Sequence, residues 1–162
     1  MATKELNKDQ VNELLYQALE TEVGGVQVYK TALRCAVNED LKEEWQKYLE
    51  QTQNHERVMR ELFEKMGLDP EADTPGRQVV RHIGESLVKA MKMALGNGHP
   101  EGAQIVAAEC VVEAETKDQL NWELRAPNRM KPFWECWVSW RCPCQQEERP
   151  WPSLSSTTNC GK

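Results

Sequence analysis

The sequence predicts an all-α protein: an antiparallel helical bundle made of a long helical hairpin, a crossover helix and a third long helix, followed by an irregular Trp/Cys-rich C-terminal tail. Three observations predict it. Apolar residues recur at three- and four-residue intervals over long stretches, the period of an α-helix. Those stretches are separated by "AVNED", "GLDPEADTPG" and "GNGHP", segments of residues that turn or break a chain. No stretch shows the two-residue alternation of a half-buried strand.

The first helix is expected from about Asn7 to Ala36. Asn7 with Gln10 three residues on makes a capping-box pattern, and Val11, Leu15, Ala18, Glu22, Gly25, Tyr29, Ala32 and Ala36 fall on one stripe. The second starts near Asp40, with Glu43 as its capping partner, and runs to about Met66. Its stripe is Leu41, Trp45, Tyr48, Thr52, His55, Met59, Leu62 and Met66, and Gly67 and Pro70 end it. At the rise of an α-helix each is on the order of 40 Å long, and the short turn between them makes an antiparallel hairpin. Thr74-Pro75 reads as an N-cap with proline at the first helical position. It opens a shorter crossover helix to about Leu95, with Val80, Ile83, Leu87, Met91 and Ala94 inward. After the break a fourth segment, about Glu101 to Leu124, shows Ile105, Val106, Val112, Leu120 and Leu124 as its apolar face.

At 162 residues the chain suits one domain with a sizeable core. The composition divides it into a helical domain, 1–125, and an irregular tail, 126–162. Four of the six tryptophans and four of the six cysteines lie in that tail. Trp and Cys codons read one base earlier encode Leu, Met or Val, so the abrupt change of composition predicts a non-native, frameshifted tail. Cys142-Pro-Cys144 lacks the spacing of a zinc knuckle. A net charge of −6 argues against nucleic acid or an anionic membrane surface as partner. The N-terminus carries no apolar leader and no apolar run is long enough to span a bilayer, so a soluble, cytoplasmic protein is expected.

Function is sought where the stripes carry the wrong residues. An unpaired carboxylate in a core costs several kcal/mol, so an inward glutamate needs a cation, a proton or a partner. Glu22 lies mid-stripe on the first helix, His55 mid-stripe on the second, Glu109 among the apolar residues of the fourth and Glu113 near its edge, while Glu115 and Asp118 are expected to point elsewhere. Singly, each reads as readily as a satisfied core histidine or a boundary salt bridge. Together they put a metal-competent group midway along three segments.

This arrangement resembles the ferritin-like di-iron carboxylate superfamily, rubrerythrins and bacterioferritins included, in a bacterial branch. The resemblance rests on Glu22 with Tyr29 seven residues on, "KYLEQTQNHERVMRELFEKMGLDP", "TPGRQVVRHIGESLVKAM" and "AAECVVEAETKDQLNWEL", and covers about residues 8–125. Such bundles take a Glu from each of two helices and a Glu-x-x-His from each of the other two. It implies metal ligation by Glu22, His55, Glu109 and Glu113, with Tyr29 and Tyr48 as hydrogen-bonding neighbours. It also implies iron (two ions in intact relatives) or manganese as cofactor, and ferroxidase, peroxidase or oxidase-type redox chemistry where the site is intact. The chain departs from the pattern at Thr52, where an acid belongs three residues before His55, and no second Glu-x-x-His follows residue 125. The fourth bundle helix is therefore missing and the site incomplete. Two functions are expected: a ferritin-like, non-haem metal-binding protein, or a non-catalytic helical interaction module that keeps the fold without metal. Three long amphipathic helices leave an apolar groove, which predicts a homodimer or higher homo-oligomer.

Overall fold

A computed structural model describes residues 7–125, with side chains to Gln119. Among the described residues the secondary structure is helical: α1 (Lys8–Cys35), α2 (Glu39–Met66), α3 (Pro75–Gly96) and α4 (Pro100–Arg125). These residues fall in one compact unit, Met1–Arg125. The all-α expectation holds for them. No helix among them is long and apolar enough to cross a membrane. The expectations for the tail, its cysteines and its reading frame lie outside the described residues.

Local chemistry sets the helix boundaries. The Asn7 side chain accepts from the Gln10 N–H and the Gln10 side chain accepts from the Asn7 N–H, so the capping box closes in both directions. The cap of α2 differs from the expected one. Asn38, not Asp40, is the N-cap, and its side chain accepts from the Leu41 N–H. Gly67 ends α2 at φ +67°, a left-handed conformation in which a Cβ would be strained. Thr74 caps α3 with proline at its first turn, as the sequence predicts.

α1 is the central element. It packs against α2, α3 and α4; α3 packs also on α4, whereas α2 docks chiefly on α1. The α1–α2 hairpin is antiparallel with a regular register. Glu22 meets His55, Gly25 faces Thr52, and the rings of Tyr29 and Tyr48 are 5.9 Å apart. Each step along α1 is thus matched by an equal step back along α2. The same register sets Ala32 by Trp45 in one apolar cluster and Ala18 by Met59 in the other.

α4 corrects the sequence expectation about its faces. Ala103, Ala107, Cys110 and Val111 are buried, while Ile105 and Val112 are 70% and 59% exposed. The small side chains let α4 approach α1 closely, and the bulky ones face outward. α3 is held to α1 by ion pairs. Glu20, only 4% exposed, accepts from the guanidinium of Arg77 at 2.6 Å and from that of Arg81 at 2.9 Å. Arg77 also donates to the carbonyls of Pro70 and Ala72, which ties the α2–α3 connection to α1.

Candidate functional site

The hairpin register brings two of the expected residues together. The Glu22 carboxylate, 3% exposed, lies 3.5 Å from Nδ1 of the partly exposed His55, midway along both helices. Glu22 is inward because it occupies the same stripe as Ala18, Gly25 and Tyr29, and His55 because it occupies that of Thr52 and Met59. One helical turn from the pair, Gly25 and Thr52 oppose each other. A Cβ on Gly25 would stand 3.0 Å from Thr52 Cγ2, so a glycine is needed for α2 to approach this near. The Thr52 hydroxyl donates to the Tyr48 carbonyl at 2.9 Å and so is engaged with its own helix.

A further turn along, the buried Tyr29 hydroxyl donates to Oε1 of Glu115 at 2.7 Å. Burial, then the charge of Glu115 and its hydrogen bond, push the Tyr29 phenol well above its usual range, with Tyr48 and Asp118 adding to the shift. A phenol so held stays protonated and donates to the carboxylate. Tyr48 is shifted upward too, through its hydrogen bond with Glu44 and then burial.

The α4 carboxylates are distributed otherwise than the sequence predicts. Glu109 and Glu113 are exposed, and Glu113 borders a groove between α1, α3 and α4 rather than the α1–α2 seam. Glu115, expected to point elsewhere, is the residue that reaches Tyr29. The error follows from choosing Ile105 and Val112 as the inward face. The signal that could have corrected it is the spacing Ala103, Ala107, Cys110, Ala114, a stripe of small residues suited to close helix packing.

Sequence reasoning also passed over Glu20 and Arg77. It assigned α1 a single buried stripe, and Glu20 lies off that stripe. Farther along α1 the face of Glu20 is open, with Gln27 and Arg34 exposed, and Glu20 is buried where Arg77 and Arg81 of α3 cover it.

What this arrangement can hold follows from its donors. A two-ion carboxylate centre uses four carboxylates and two imidazoles. Among the described residues, no group of three or more His, Cys, Asp or Glu side chains is placed to hold an ion. Glu22 and His55 are one carboxylate and one imidazole in contact. They fit part of a single-ion donor set and do not make a two-ion centre.

No protein-family model matches the chain, and no curated protein or solved structure matches it.

Proposed function

We propose that the chain is a ferritin-like helical protein that binds one divalent transition-metal ion at the mid-height of its α1–α2 hairpin. The observation that carries this reading is the contact between the buried Glu22 carboxylate and the His55 imidazole. A carboxylate and an imidazole suit Fe(II) or Mn(II), with Zn(II) a competitor on affinity grounds. Glu22 and His55 would hold such an ion, and solvent reaches the pair because His55 is partly exposed. The Tyr29–Glu115 hydrogen bond lies two turns along the same seam and ties α4 to α1 beside this site.

The test is metal content by mass spectrometry, with melting temperature measured anaerobically with and without Mn(II) or Fe(II), on the wild type and His55→Ala. A ligand bound only by the folded state at a hundred times its dissociation constant adds about 2.7 kcal/mol. The expected result is near-stoichiometric metal and a melting point raised by several degrees in the wild type, both lost in the variant. Equal metal content and equal shifts in both proteins would overturn the reading.

One observation favours a second reading, a non-catalytic helical scaffold. Thr52 stands where an acid would complete a Glu-x-x-His, and its hydroxyl is already bonded to Tyr48. On that reading Glu22 and His55 are partners for each other. His55→Ala then lowers stability, and neither protein responds to metal.

A further inference from the structure

α3 and α4 each carry two apolar faces, and the core uses one of them. On α3 the inward face includes Val80 and Met91, both buried, while Val79, Ile83 and Met93 lie 59%, 38% and 63% exposed. On α4 the outward Ile105 and Val112 oppose the buried Ala107 and Cys110. A helix that is apolar on both sides is built to be covered on both sides. Ile83 and Val112 also flank a cavity of about 550 Å³ whose floor is Gly24, Gly25 and Val28 of α1. An open hole at the centre of an apolar face is where a partner's side chain is received.

The charges beside this face identify the occupant. The exposed lysines and carboxylates of α3 are Glu85, Lys89 and Lys92, net positive, whereas α4 presents Glu101, Glu109, Glu113 and Glu115. A surface with one basic and one acidic helix side by side is complementary to itself when a two-fold axis sets α3 of one copy against α4 of the other. We propose that the outer α3–α4 face is a homodimer interface, with Ile83, Met93, Ile105 and Val112 at its apolar centre. The lysines of one α3 then pair with the glutamates of the partner's α4. This holds whether or not the α1–α2 seam binds metal.

The test is sedimentation equilibrium of the full chain over a range of concentrations, with far-ultraviolet circular dichroism as the check on folding. The wild type is expected at twice the 18.6 kDa chain mass. Ile83→Glu with Ile105→Glu changes residues that are already exposed, and is expected to give a helical monomer. Lys89→Glu with Lys92→Glu is expected to weaken association at least about tenfold, since like charges across an interface oppose it. Adding Glu101→Lys and Glu109→Lys is expected to restore it. A monomeric wild type, a dimer indifferent to the isoleucine changes, or charge reversals that fail to compensate would each overturn the proposal.

Discussion

At the scale of single residues, adjacent glycines on α1 are under opposite constraints. A Cβ on Gly24 meets nothing within 4 Å, whereas one on Gly25 meets Thr52 at 3.0 Å. Alanine is favoured over glycine in a helix interior by about 1 kcal/mol. Gly24→Ala should therefore raise stability by about that amount. In Gly25→Ala the contact with Thr52 opposes the gain, and the cost of crowding a packed seam is about 1–3 kcal/mol. Chemical denaturation of both variants gives the comparison, and Thr52→Ser, which removes the crowding methyl, should recover part of the loss. Glu20 sets a second expectation. Its burial tends to raise the pKa, but hydrogen bonds and charge from Arg81 and Arg77 outweigh that and hold the carboxylate below the usual range. A carboxylate with a lowered folded-state pKa contributes stability above its unfolded pKa and loses it as pH falls through the folded value. Glu20→Gln should thus flatten the acid limb of the stability–pH profile, and a limb as steep as that of the wild type would count against this role. Arg77→Ala removes one partner of a buried ion pair and should destabilise by about 3–5 kcal/mol.

At the scale of elements, α3 depends on α1 for its start. Oε1 of Glu13 accepts from the Gly76 N–H at 2.7 Å and from the Thr74 hydroxyl at 3.1 Å, so a carboxylate from another helix supplements the N-cap. Loss of a capping group costs about 1 kcal/mol, and Glu13→Ala should show that loss together with fraying of the first turn of α3. The caps also explain how the sequence was legible where it was. Asn7 with Gln10, Thr74 before Pro75, and Gly67 are local signals, and local signals survive in one dimension. The two faces that make the hairpin seam were legible as well, because α2 has one strongly amphipathic face and α1 meets it with the Ala18–Glu22–Gly25–Tyr29 stripe, while their register is set by the packing itself. What failed was α4. Its apolar residues surround the helix, so periodicity offers no preferred side, and the bulkier Ile105 and Val112 outweighed the small residues that pack. Placement of the candidate residues was accordingly half legible: the inward positions of Glu22 and His55 followed from the amphipathic pair of helices, whereas those of Glu109 and Glu113 hung on the ambiguous one and are exposed. Glu20 and Arg77 are joined across 57 positions of sequence, and no local pattern announces such a pairing.

At the scale of the whole molecule, the packing is uneven. α1 is enclosed by three helices, α3 and α4 support each other, and α2 rests chiefly on α1. Stability is distributed accordingly, because opening a segment exposes only the surface it buries. α2 buries Trp45, Leu49, Met59 and Phe63 against α1, a substantial contact but a one-sided one. Two polar ties reinforce its ends. Gln104 of α4 accepts from the N–H groups of Val37 and Asn38, and Arg77 holds the carbonyls of Pro70 and Ala72. Native-state hydrogen exchange should therefore find the slowest amides in α1 and a sub-global opening in which α2 exchanges as a unit at lower free energy. Gln104→Ala and Arg77→Ala, which release opposite ends of α2, should lower that opening free energy. If metal binds between Glu22 and His55 it bridges the two helices this opening separates, so Mn(II) should slow exchange in α2 more than in α3. Protection of α2 equal to that of α1, unchanged by either substitution, would show that α2 is held by more than its contact with α1.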